Sequence, residues 1–497
     1  MNKIKYLLPI VLGAIFPMLL HRQQAGLNIL ILNFLIVLSL YYTGRLNFRN
    51  RNVIIVSIGV LLTGLACLIH GSGHTVVISS LSIVILSGLT ISPEINILPN
   101  SFFASFMGLF TAPYHYLKGV FNNDLGIAFR RVLYYLAIVV FPLVIVVIFI
   151  SIYSAASSYY NDLTAGFISF LNDLATWFFQ VISPPVFGLG IVGIIVGLIL
   201  YFGKMTSFFT LPFENGSNMM QRRRKRFFGS NIALRNELKM AVVIMVMLNL
   251  VIGLMNALDI FYIWFNFKWD GGLLKQFVHE GTWLLIFSIF ISIIIVLWFF
   301  RGNLNFFSQN RLLLILTKIW LIQNFILAIS VGIRNFWYLY YFNLAYKRIG
   351  VYAFLVLVFV GLITVLIKVS RKKSLRYLIQ INSMAAYLVL LSISLINWDR
   401  VIAKFNTDRA DKALFHYDFM VDLDSSALPI LLDAKPQIAS LDGNQAQMFQ
   451  YKTSDLTFED YSNRIEYRKT LFVAGYPSMH WLCWNYADWI TYKSLSF

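Results

Sequence analysis

Residues 351–367, VYAFLVLVFVGLITVLI, hold no charged side chain, while Lys347 and Arg348 stand just before the run and Lys368, Arg371, Lys372 and Lys373 just after it. At 1.5 Å per residue such a helix is about 25 Å long, close to the roughly 30 Å of a bilayer's hydrocarbon core. Nothing but lipid or a very large core could accept it, and in lipid the backbone must satisfy its own hydrogen bonds, so the run predicts a transmembrane helix.

Similar runs begin at residues 7, 26, 53, 75, 132, 186, 241, 283, 312 and 380. The chain therefore reads as an all-α, polytopic membrane helix bundle of about eleven spans over residues 1–397. A hydrophilic, mainly helical tail follows over residues 398–497. Composition agrees: 59% of the 497 residues are hydrophobic and 12% are charged, against about 25% charged in soluble domains. The first run follows Met1-Asn2-Lys3-Ile4-Lys5 as a signal peptide would, but lacks a small-x-small cleavage site and leads directly into the next run. It is read as a span.

The formal charge of +18 is unevenly placed. The bundle holds 30 Lys and Arg against 9 Asp and Glu, the tail 10 against 13. With the N-terminus inside, 23 basic residues fall in inner segments and 6 in outer loops, a strong positive-inside bias. An odd number of crossings then puts the tail outside. The excess charge predicts contact with the bilayer and its anionic lipids, above all through Arg222, Arg223, Arg224, Lys225 and Arg226, and not nucleic-acid binding. Two aromatic stretches are expected to lie on the membrane surface. These are residues 101–121, with Phe102, Phe103, Phe106 and Phe110 toward lipid, and residues 160–182.

Polar residues within or beside the spans are the candidate substrate pocket: Lys318, Asn324, Gln323, Asn249, Asn256, Asp259, His279, Glu280, Arg301 and Arg334. Each has a plainer reading. Lys318 shares a face with Arg311 and can snorkel; the amides can join helices; Glu280 can sit at a helix start. Asp259 lies about 17 Å from Lys318 in depth, too far for a pair. The letters of a dinucleotide loop at Gly188, Gly190 and Gly193 fall inside a span, so Gly193 and Gly197 read as helix-packing residues. No catalytic set is visible, no metal is expected from two cysteines and scattered histidines, and no cofactor is expected.

Several runs carry a resemblance. They are Val278-His279-Glu280-Gly281-Thr282, Phe299 to Phe306, Gln323-Asn324, Arg334-Asn335, Tyr340 to Val351, Asn397-Trp398-Asp399-Arg400-Val401-Ile402-Ala403 and Val421-Asp422-Leu423-Asp424 through Leu432. In this order they resemble a family of bacterial multi-pass membrane proteins classed only as a domain of unknown function. The resemblance implies a protein of the bacterial cytoplasmic membrane with an extracytoplasmic tail, and no activity.

Two function classes follow. One is a transport or translocation component of the cell envelope for an anionic or lipid-linked substrate. The other is a scaffold or signalling protein whose tail binds an envelope partner. An enzyme is a third and weaker reading. The last 17 residues hold Trp481, Trp484, Tyr486, Trp489 and Tyr492; these rings need burial, either in the tail's own core, the favoured place, or at the bilayer interface. The tail is expected to dock on the membrane part.

Overall fold

The computed structural model describes residues 4–122, 183–204, 216–222, 231–267, 273–440 and 456–496, apart from Pro93, with Glu214 and isolated positions among residues 150–180. The run beginning at residue 132, most of 160–182 and Arg223 to Arg226 lie outside the described residues.

Ten of the expected runs form helices: α1 Ile4–Leu20, α2 Leu27–Tyr42, α3 Arg51–His70, α4 Gly73–Ile91, α6 Pro184–Phe202, α7 Asn231–Asp259, α8 Leu273–Phe299, α9 Arg311–Phe342, α10 Tyr346–Arg371 and α11 Leu375–Ser394. Seven are long and apolar enough to cross a membrane, with α1, α2 and the apolar part of α8 shorter. Local chemistry sets several ends. The Asn50 side chain accepts from the Asn52 N–H at the start of α3, and Ser374 caps α11. Gly71, in the left-handed region at φ +55°, ends α3, and an added Cβ there would meet the Ala25 carbonyl at 2.4 Å.

The helices pack as two lobes. One core gathers Leu32, Ile36, Val56, Val60, Leu86 and Leu200 from α2, α3, α4 and α6. The other gathers Met245, Ile289, Leu313, Leu321, Val331 and Leu362 from α7 to α10. Helix α11 belongs to both, giving Tyr387 and Leu391 to the first core and Leu378 to the second. Its Tyr387 hydroxyl donates to Ser82 Oγ at 3.1 Å and lies where a side chain on Gly59 would be.

Helix α5, Leu98–Asn122, is not among the candidate spans. It lies against the C-terminal halves of α4 and α6 and the start of α1. Ser105 and Ser87 hydroxyls meet at 2.6 Å, and the Tyr116 hydroxyl donates to the Tyr6 carbonyl at 3.2 Å. Phe102, Phe103, Phe106 and Phe110, expected to face lipid, are exposed, and α5 occupies the stretch 101–121.

The tail forms α12 Trp398–Thr407, α13 Tyr417–Val421, α14 Leu428–Asp433, α15 Phe458–Gly475 and α16 Tyr486–Ser496. Ile402, Phe415, Met420, Leu431, Tyr461 and Ile465 make its core, and Leu344 and Ile349 of the bundle pack into it. It is seated by hydrogen bonds as well. Leu344 N–H donates to Asn406 Oδ1 at 2.7 Å, Leu414 N–H to the Tyr341 carbonyl at 2.9 Å, and Leu27 N–H to the Trp484 carbonyl at 3.0 Å. Cys483 is buried, with its thiol on Gln23 Oε1 at 2.7 Å.

The terminal aromatics correct the expectation of burial in the tail's core. Trp481 is 64% exposed, and Trp484, Tyr486 and Trp489 are exposed too. They stand where the tail meets the start of α2 and the end of α3. The rings that the tail's core does take in are Phe415, Tyr417, Phe458 and Tyr461, packed on one another.

Candidate functional site

Between the tail and the two lobes lies a cavity of about 620 Å3. Its walls come from distant parts of the chain: Gly71 to His74, Tyr346 with Ile349 and Gly350, Ile393, Trp398 with Asp399, and Asp422 with Asp424. The first lobe supplies the turn between α3 and α4. Ser72 Oγ is its hub, within 2.8 Å of His70 Nδ1, 3.4 Å of His74 Nε2 and 3.1 Å of Thr75 Oγ1. The second lobe supplies the first turn of α10. A Cβ built on Gly73 or Gly350 would meet nothing within 4 Å.

The tail supplies the carboxylates. Asp399 lies in the first turn of α12, whose start is fixed by the Asn397 side chain accepting from Arg400 N–H. An acidic residue there suits the positive end of the helix. Asp399 is only 6% exposed, and its Oδ1 accepts from the Tyr346 hydroxyl and from Asp424 N–H. Asp424 opens a single turn at Ser425–Ala427, behind which Asp488 accepts from Ser425 Oγ at 3.1 Å and Asn485 Nδ2 at 2.6 Å. Asp424 keeps an exposed face, yet desolvation by its surroundings pushes its carboxyl up, the Asp488 and Asp399 carboxylates push the same way, and the Ser425 and Ser426 N–H groups oppose them.

A carboxyl raised on folding costs stability while ionised, and that cost fades as the pH falls through the raised value. Asp424→Asn is therefore expected to raise the unfolding midpoint at neutral pH, with the gain shrinking on acidification. A gain constant across pH, measured by thermal unfolding in detergent, would contradict this.

No Lys or Arg lines the cavity. Among the described residues no group of three or more His, Cys, Asp or Glu is placed to hold a metal ion. The lining offers carboxylates, one imidazole, a phenol and an indole, a set suited to binding hydrogen-bond donors.

The residues proposed from sequence are dispersed. Lys318 is exposed on the outside of α9, as snorkelling or lipid contact would have it, and is not brought to the buried amides. Asn249 Nδ2 donates to the Leu316 carbonyl at 3.2 Å and Asn256 Nδ2 to the Gln323 carbonyl at 3.0 Å. Asn324 Nδ2 donates to Trp320 of its own helix. These bonds tie α7 to α9 and leave the described cavity elsewhere. His279 and Glu280 fall in α8. Arg301, beyond the end of α8, stacks its guanidinium 3.4 Å from the Trp298 ring. Arg222 is exposed.

Arg334 corrects its assignment to an outer loop. It is buried in α9, paired with Asp259. The carboxylate neutralises it, so the helix continues through Arg334 to Phe342. After Asp259 the chain widens into a π turn, Ile260–Phe265, whose Ile263 carbonyl accepts from Trp337 Nε1 at 2.9 Å.

The residues that line the cavity were not singled out from sequence. The signal lay in the resemblance itself: the runs 397–403 and 421–432 supply Trp398, Asp399, Asp422 and Asp424, and the run 340–351 supplies Tyr346, Ile349 and Gly350.

Fold and site together define a multi-pass helical membrane protein with a small helical domain seated over a polar cavity. The chain belongs to the family described as a domain of unknown function (DUF4153), which matches residues 9–434. No curated protein and no solved structure matches it.

Proposed function

We propose that this protein is a transport or translocation component of the bacterial cytoplasmic membrane, its N-terminus inside and its tail outside, that receives its ligand in the junction cavity. The observation that carries this reading is the position of the cavity. It lies where two separately packed lobes and the tail meet, beside α11, which shares its side chains between both cores. Relative movement of two lobes about a central site is how membrane transporters alternate access. Helix α11, which reaches the second core through Leu378, is held to α4 of the first lobe by single hydrogen bonds at Tyr387–Ser82 and Thr75–Ser394, of 3.1 and 3.0 Å. The anionic part of the expected substrate is set aside here, because three carboxylates face it. A lipid-linked substrate remains compatible with a cavity beside exposed interfacial tryptophans.

The scaffold reading has one observation of its own: Tyr467 and Leu471, one turn apart on α15, are exposed on the tail. A single experiment separates the two. In a chain with Cys67 and Cys483 replaced, Ser82→Cys sits at the contact of α4 with the shared helix α11, where Ser82 is fully buried. A transporter is expected to expose that thiol to impermeant reagents from each side of the membrane in turn; a static scaffold exposes it from neither. In the parent chain, mild denaturant should open buried Cys483 to an impermeant reagent outside intact cells, and labelling only after the membrane is broken would reverse the orientation.

A further inference from the structure

The cavity's own hydrogen-bonding groups are unevenly committed. Its neutral donors are already used. The Trp398 indole N–H donates to the Ile393 carbonyl at 2.9 Å, and the Tyr346 hydroxyl donates to Asp399. Ser72 Oγ is occupied within its turn by His70, His74 and Thr75. What these aromatic residues still offer the space is ring surface.

Its acceptors are used only in part, the Asp424 carboxylate accepting from the Ser425 and Ser426 backbone. Both hydrogen bonds to Asp399 fall on Oδ1, so Oδ2 of this nine-tenths buried side chain has no partner among the described residues. Asp422 makes no hydrogen bond or ion pair among them, and no ion pair involves Asp399 or Asp424. Asp422 and Asp424 are exposed to the space, but Asp399 is buried, and with no Lys or Arg in the lining and His74 its one imidazole that carboxylate lacks the cationic partner that buried charges ordinarily have. The missing partner must donate hydrogen bonds and carry positive charge. An anion would be repelled. A bare metal ion has no suitable ligand set among the described residues.

We propose that the junction cavity binds its ligand through an ammonium group, hydrogen-bonded by Asp399, Asp422 and Asp424 with the rings of Trp398 and Tyr346 beside it. Three donors on one nitrogen match three carboxylates from two segments of the chain. Indole and phenol rings add attraction for a cation within about 6 Å. The amine has two sources: a free polyamine or amino alcohol, or the headgroup of an aminophospholipid reached from the bilayer beside the exposed tryptophans. The inference rests on the cavity being the ligand site, but not on whether the ligand is then moved.

The test uses the full chain in nanodiscs of phosphatidylcholine and phosphatidylglycerol. Ethanolamine, spermidine, glycerol and inorganic phosphate are titrated while the unfolding midpoint and tryptophan fluorescence are followed. Phosphatidylethanolamine is introduced into the disc as a separate arm. Saturable stabilisation by the amines is expected, with no response to glycerol or phosphate. Replacing Asp422 and Asp424 by Asn should weaken amine binding by about tenfold or more, the scale of losing charge-assisted hydrogen bonds. Gly350→Trp, which adds a bulky side chain at a lining position where a Cβ meets nothing within 4 Å, should abolish it.

A response to free amines assigns a soluble source, and a response to phosphatidylethanolamine alone assigns the headgroup. Binding of glycerol or phosphate that Gly350→Trp removes and the Asn variants spare would overturn the ammonium and keep the cavity as a ligand site. Amine binding indifferent to all the variants, or no response to any amine, would overturn the proposal. Thiol access at Ser82→Cys reports on transport independently of every one of these outcomes.

Discussion

Arg334→Leu is expected to destabilise the folded bundle by about 3–5 kcal/mol, the cost of leaving one member of a buried ion pair uncompensated. Asp259 is the last residue of α7 and Arg334 lies in the C-terminal part of α9; both side chains are almost fully buried. Their neighbours offer little polar relief. Trp264 Nε1 is taken by Ser330 Oγ at 3.0 Å, and Trp337 Nε1 by the Ile263 carbonyl. Removing the guanidinium leaves the Asp259 carboxylate buried and unpaired, with its Oδ2 already lacking a partner.

The double variant Asp259→Leu with Arg334→Leu should recover most of the loss, since a buried pair gains little over apolar residues of similar volume. The measurement is a double-mutant cycle on unfolding in detergent. Single variants that each cost less than about 1 kcal/mol, as surface pairs do, would mean that the pair is solvated.

Gly193→Leu is expected to part α1 from α6, with a cost of at least the roughly 1–3 kcal/mol of an overpacked interior. The two helices meet backbone to backbone. A Cβ on Gly193 would lie 2.5 Å from the Leu12 carbonyl and 3.0 Å from Gly13 Cα, and one on Gly197 would lie 2.6 Å from Pro9 Cα. Backbone cannot move aside as a flexible side chain can. Small residues allow this close approach in lipid, where packing replaces the hydrophobic effect as the force between helices. Gly188, on the same helix, faces open space, so Gly188→Leu is the control and should be nearly neutral. Cysteines at positions 13 and 190 of a chain lacking Cys67 and Cys483 report the contact directly. Their cross-linking should survive Gly188→Leu and fail in Gly193→Leu.

The helices were legible because hydrophobicity is a local property: a run such as 351–367 must span whatever its neighbours do, and it lies in α10. The amphipathic stretch 101–121 and the packing glycines 193 and 197 were legible for the same reason, since pattern along one helix decides which face is apolar or small. Asp259 was weighed against Lys318 and rightly kept apart by depth. Its true partner was hidden because Arg334 reads as a loop cation until a carboxylate from α7 is brought beside it.

The terminal tryptophans show the same boundary. Sequence demands that they be shielded from water, but whether the tail's core or the bilayer interface does so depends on how much of that core Phe415, Tyr417 and Tyr461 already fill. The junction cavity was the least legible feature. His74, Tyr346, Ile393, Asp399 and Asp424 lie as much as 350 residues apart, and no periodicity relates them. The sequence by itself determined that this is a helical membrane bundle with a hydrophilic tail, because transfer of apolar side chains from water is paid helix by helix. Only the tertiary structure decided that the tail closes over the two lobes, and so places three carboxylates and two rings around one space.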